Sequence, residues 1–327
     1  MVTYVLGAGA SLHAGYPLAC NLGEALREWI YRTKPVNDDS RIYIDLLIKL
    51  YGGLGNLEEI LTDLDECLPG SRAATLPTHI QPYLLPNFRE SIREFFNDLR
   101  ERPARLHLYK RLARERVRVG DVIITFNYDT ACERQLKQAC LWEIGDGYGF
   151  SIDLDAPPPS KVKVLKLHGS TNWFGQMFGG SRGSSQGSDV YGPRPVIFFR
   201  ADFEFFGYPT ELRDRLASAD EATGHSVMIM PTLHKRFGRE WEPFWNDLWG
   251  QAGSALAASE KIVIIGYGMA SVDEKARELM LQESNRDAHI AIFCGGKSTA
   301  ICNEFKSRGF RRVETHPEGC FEDFLSH

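Results

Sequence analysis

The chain has 327 residues, 43% of them hydrophobic and 25% charged, with a formal net charge of −5; this is long for one domain and ordinary for a globular protein with a full core. The acidic balance argues against a protein built to coat nucleic acid, so direct nucleic-acid binding is not expected. Seven cysteines form no CxxC pair, no apolar run reaches membrane-span length and no basic region precedes an apolar N-terminal core, which excludes a zinc ribbon and a disulfide framework and predicts a cytoplasmic protein with no membrane and no metal.

In chain order, Val2 to Leu6 reads as a short buried strand that breaks into Gly7-Ala8-Gly9-Ala10-Ser11. Helical patterns follow from Leu18 to about Glu115, punctuated by prolines such as Pro35, Pro69, Pro77, Pro82, Pro86 and Pro103. Residues 18–116 are therefore expected to form an inserted helical module, with residues 1–17 and 117–327 forming the main domain. The next strand runs from Val119 to Phe126 and ends in Asn127-Tyr128-Asp129, before a helix with Thr130 and Glu133 at capping-box spacing. Residues 145–160 suggest a flap of short strands. Val162 to Leu167 is a further strand ending in His168-Gly169-Ser170.

Residues 174–195 are dense in Gly and Ser, the composition of a flexible loop. After a second helical stretch comes a strand from Ser226 to Met230. Trp241, Trp245 and Trp249, four apart on one helix, read as a core stripe. Lys261 to Ile265 is an apolar strand ending in Gly266-Tyr267-Gly268, followed by a helix with Ser271 and Glu274 at capping-box spacing. His289 to Cys294 is the last clear strand. Apolar strands alternating with helices predict an α/β fold with a Rossmann-like, doubly wound parallel sheet carrying the inserted helices. In such a sheet ligands sit beyond the carboxyl ends of the strands, where Gly7 to Ser11, Asn127, His168 and Gly266 all fall.

Small residues after the first strand suit a phosphate, because they let backbone N–H groups approach an anion. The dinucleotide fingerprint of dehydrogenases is incomplete: Leu12 stands where its third glycine belongs, and the expected second strand with a terminal acid is replaced by helix. No P-loop motif is present. Asn127 offers two donors and an acceptor without titrating, suited to orienting a ribose hydroxyl or a water. His168 is the side chain whose ordinary pKa suits proton transfer near neutrality. Asp129 reads first as a helix cap.

GAGAS with AGYP, then TFNYD, LHGS and IIGYGMASVD, resemble in order the signature series of the Sir2-like family, and more specifically its prokaryotic antiphage-defence branch. The resemblance runs from Leu6 to about Met280, and MIMPTLHK at Met228 to Lys235 also fits it. It implies that Gly7, Ala8, Gly9, Ala10 and Ser11 hold the pyrophosphate of NAD and that Asn127 sits at the nicotinamide-side ribose. It further implies that His168 is the catalytic histidine, that Gly266 and Tyr267 border the ADP-ribose, and that Asp129 and Asp273 belong to the site. Departures matter: the zinc ribbon of sirtuin deacetylases is absent, Phe126 replaces a glutamine, and AGYPLACNLG lacks the family's arginine.

NAD is thus the expected substrate, with nicotinamide and ADP-ribose as products. The alternatives are an NAD-dependent protein deacylase or ADP-ribosyltransferase, and a non-catalytic NAD- or ADP-ribose-binding module. An enzyme that destroys NAD must be held inactive, and no second sensor domain is expected after the last predicted helix. Control is therefore expected from homo-oligomer assembly or from a separate regulatory partner, an ATPase or nuclease-like protein.

Overall fold

A computed structural model describes residues 1–101, 105–150, 158–178, 194–199, 225–232, 241–270, 273–316 and 319–326. Its centre is a parallel sheet in the order β3-β2-β1-β7-β8-β9. These strands are β1 (Val2–Leu6), β2 (Val122–Thr125), β3 (Lys163–Lys166), β7 (Lys261–Ile265), β8 (His289–Phe293) and β9 (Val313–Thr315). Register follows the apolar runs: Leu6 lies beside Thr125 on one side and Ile265 on the other. Val5, Leu6, Ile123, Ile124, Ile264 and Ile265 are fully buried, as strands covered on both faces require. The chain is therefore a Rossmann-like α/β fold.

Strand order decides where a ligand can sit. From β1 the chain winds outward through β2 and β3, then crosses back to β7 and winds the other way. The reversal opens a crevice between the carboxyl ends of β1 and β7, the topological switch point of such sheets. Short α1 (Ala8–Ser11) starts at that point.

Between β1 and β2 lie α2 (Ala19–Thr33), α3 (Asp39–Tyr51), α4 (Leu57–Glu66), α5 (Gln81–Glu101) and α6 (His107–Arg111). Pro82 falls in the first turn of α5, where its missing N–H costs nothing, but Pro86 lies inside the helix rather than ending one. Leu22, Leu26, Ile30, Leu47, Ile60 and Ile92 from these helices join one buried cluster with the sheet residues.

After β2, α7 (Ala131–Gln138) is not closed by the expected capping box. Thr130 makes no side-chain cap bond; Asp129 Oδ1 instead accepts from Ala131 N at 3.0 Å. Residues 143–150 and 158–160 contain turns and no strand, while 151–157 lie outside the described residues. A smaller antiparallel sheet has the order β5-β4-β6, from β4 (Gly169–Phe178), β5 (Arg194–Phe199) and β6 (His225–Met228). The expected Gly/Ser loop at 174–195 is therefore shorter: 174–178 continue β4, 194 and 195 open β5, and 179–193 lie outside the described residues. The helical stretch expected before β6 and the capping residue Ser271 also lie outside them.

Trp245 and Trp249 of α8 (Glu242–Ala258) are buried, and Trp241 packs against the same core. The remaining helices are α9 (Glu274–Glu278), α10 (Ser298–Ser307) and α11 (Phe321–Ser326). Among the described residues no helix is long and apolar enough to cross a membrane.

Candidate active site at the strand ends

The carboxyl ends of β1, β7 and β8 are stitched together by backbone. Gly7 N donates to Ile265 O at 3.0 Å, Gly9 N to Gly266 O at 3.0 Å and Gly266 N to Phe293 O at 2.9 Å. This contact explains the opening glycines. A Cβ on Gly9 would stand 2.8 Å from Gly266 Cα, and one on Gly266 would stand 2.2 Å from Ala10 N, on a backbone with φ +62°. The glycines first let two turns touch, and only through that closeness present a thin floor to a ligand.

Beside the seam, four side chains form a relay centred on Ser11. Asn127 Nδ2 donates to Gly7 O at 2.9 Å and to Ser11 Oγ at 3.0 Å. Ser11 Oγ donates to Asp129 Oδ2 at 2.7 Å and pairs with Tyr109 OH at 2.8 Å. Because the single Ser11 proton goes to Asp129, Tyr109 must be the donor in its pair. Burial, aided by the Asp129 charge, pushes the Tyr109 phenol well above its ordinary range and keeps it a donor. Both Asn127 amide hydrogens are committed, so the group it has left for a water or ribose hydroxyl is the Oδ1 acceptor.

Beneath the relay, Lys166 and Glu133 form a buried ion pair at 2.8 Å. Lys166 Nζ also donates to Asp129 O, and Tyr148 OH donates to Glu133 Oε1 at 3.3 Å. Burial pushes the Glu133 carboxyl up, with the Lys166 charge pulling against it.

His168 follows β3, its carbonyl accepting from Ile229 N at 2.9 Å. Its ring packs on Phe126, with centroids 5.1 Å apart, and on Trp249 at 6.4 Å. Nε2 lies 3.5 Å from Asp273 Oδ2, both side chains largely buried. Phe126 is itself stacked on Tyr267 at 4.4 Å. Burial, then the Asp273 charge, pushes the Tyr267 phenol well up. A carboxylate at Nε2 favours the tautomer protonated there.

These groups share one cavity of about 580 Å³, within the roughly 300–1,000 Å³ of small-molecule sites. Gly7, Ala8, Gly9, Ser11, Asn127, Asp129, His168, Gly266, Tyr267 and Asp273 all line it. Ala10 does not: it is fully buried and packs under the floor. Asp129 both caps α7 and anchors Ser11. Asp273 occupies the N-cap position of α9 without a side-chain cap bond and faces His168.

The sequence did not point to Tyr109 or Lys166, suggested Glu133 only as half of a capping box, and did not point to two lining residues, Glu58 of α4 and Lys297. The one available signal was Lys166, a charge inside an otherwise apolar strand. Among the described residues no group of three His, Cys, Asp or Glu is placed to hold a metal ion.

No family model and no curated protein matches the chain. Solved structures do. A Sir2 homolog–NAD complex shares 12% identity over 99% of this chain and 87% of that chain, with TM-score 0.42. A Sir2 homologue point mutant in complex with ADP ribose gives 13%, 99%, 88% and 0.43. A triple mutant bound to 2′-O-acetyl ADP ribose gives 15%, 99%, 89% and 0.44. At these identities and scores the likeness is one of overall backbone course.

Proposed function

We propose that the protein is an NAD glycohydrolase that cleaves the bond between nicotinamide and the ribose C1′. One observation carries this reading: His168, its Nε2 3.5 Å from Asp273, and the Oδ1 acceptor of Asn127 share a cavity with the glycine floor at the switch point. The residues fit the ligand. The floor is thin enough for close approach of a pyrophosphate, and Phe126 and Tyr267 supply flat apolar surface for a neutral leaving ring.

In the proposed step the C1′–N bond breaks and its electron pair leaves with nicotinamide. Charge develops at C1′ as in glycoside hydrolysis. A water oxygen forms the new bond to C1′, Asn127 Oδ1 orients that water, and His168 takes its proton. Asp273 then stabilises the imidazolium at 3.5 Å. The aromatic walls around His168 exclude other water.

The motif resemblance supports placing this activity in prokaryotic antiphage defence, held in check by self-assembly or a separate partner. Nicotinamide release from NAD, followed across protein concentrations, tests both parts. We expect activity to rise with assembly and His168→Ala to lower it by roughly 10²–10⁴, the usual worth of a positioned general base. Equal release by wild type, His168→Ala and Asn127→Ala would overturn the assignment.

A further inference from the structure

The strand order acts as a ruler across the cavity. His168 stands at the end of β3, the glycine seam at β1 and β7, and Lys297 just after β8. Adjacent strands lie about 4.8 Å apart, so β3 and β8 are separated by roughly 19 Å. A dinucleotide is two nucleosides joined at a central pyrophosphate. With the scissile bond at His168 and the pyrophosphate at the seam, the second ribose falls over the end of β8.

That end differs from the seam in two ways. Gly295, which lines the cavity, has nothing within 4 Å of where a Cβ would be, so there is room for a substituent. Lys297 is exposed and is the only cation among the described lining residues; no carboxylate among the described residues pairs with it. Glu322 and Asp323 of α11 turn instead to Cys320, at 3.2 Å from its Sγ and 2.7 Å from its N. A site that selects an unphosphorylated ribose places an acid on the 2′-hydroxyl, whereas one that takes a 2′-phosphate supplies a cation there.

We infer that Lys297 forms a subsite for a phosphate on the second ribose, so that the cavity accepts the 2′-phosphorylated dinucleotide at least as well as NAD. This rests on the glycohydrolase reading for the ligand's direction. It is tested without turnover, by calorimetric titration of the full chain with ADP-ribose and with ADP-ribose 2′-phosphate. The wild type should bind the phosphorylated ligand at least as tightly. Lys297→Met should weaken it about tenfold more than ADP-ribose, the loss of one charge-assisted contact, and Lys297→Arg should restore the difference. Tighter wild-type binding of ADP-ribose, equal weakening of both ligands, or binding of neither overturns the inference. Lys297-dependent discrimination without any nicotinamide release would leave this subsite standing and remove the hydrolase.

Discussion

At the β2–β3 end of the cavity Asn127, Ser11, Asp129 and Tyr109 exchange hydrogen bonds of 2.7 to 3.0 Å, with the Lys166–Glu133 pair buried beneath them. At the β8 end Lys297 is exposed and Gly296 faces open space. On the proposed reading the contrast separates two tasks. Atoms that must meet a reacting centre are held by partners that are themselves held, which is preorganisation. Groups that only recognise a distant part of the ligand stand on a turn with few neighbours and are free to vary. Substitutions at the two ends should therefore differ in kind: at the first they cost stability, at the second they alter selectivity.

The largest stability effect should come from Lys166→Met. It leaves Glu133 buried without its partner, a loss of about 3–5 kcal/mol, read by chemical denaturation. Adding Glu133→Leu should recover much of it; a single variant as stable as wild type would show that the pair does not support the relay. Next is the seam. Gly266→Ala drives a Cβ to 2.2 Å from Ala10 N on a left-handed backbone, expected to cost about 3 kcal/mol, while Gly296→Ala should change stability by less than about 1 kcal/mol. Equal thermal shifts for the two would erase the contrast.

The smallest effect concerns His13, which joins the two ends. Its ring packs on Tyr109 at 5.0 Å and on Phe321 at 5.5 Å; Tyr109 belongs to the relay, and Phe321 lines the cavity, as does Lys297. Burial, with the neighbouring His107 charge acting the same way, lowers its pKa from 6.5 to about 4, against opposing pulls from the Ala10 backbone and Glu322. The unfolded chain therefore takes up this proton near pH 6.5 and the folded one only near 4. Stability contributed by neutral His13 is complete above that window and lost as pH falls through it. His13→Phe should flatten the fall in melting temperature between pH 7 and pH 4.5; an unchanged slope would place the sensitivity elsewhere.

Much of this was legible in the sequence because the central strands are apolar, β-branched runs ending in Gly, Asn or His. A parallel sheet places such ends side by side whatever the loops do. The helices between β1 and β2 announced themselves by period. Pairing partners were another matter. Lys166 and Glu133 sit on different elements, and nothing in the sequence says that a strand lysine turns inward to an acid on a helix. Tyr109 is hidden likewise in a basic stretch, LYKRLARER. β9 is three residues long and partly exposed, too short to carry a pattern. The opening glycines carried two meanings in one motif, and only the contact with Gly266 shows that packing is the first of them.

The central place of β1 has a consequence for how the molecule is made. Both of its neighbours, Val122–Thr125 and Lys261–Ile265, come later in the chain. Until the second of these has left the ribosome, β1 keeps an unpaired edge lined by Tyr4, Val5 and Leu6, the kind of surface that invites wrong partners. Such long-range pairing is slow, so the glycine seam closes late in folding, and the cavity it floors is completed only then.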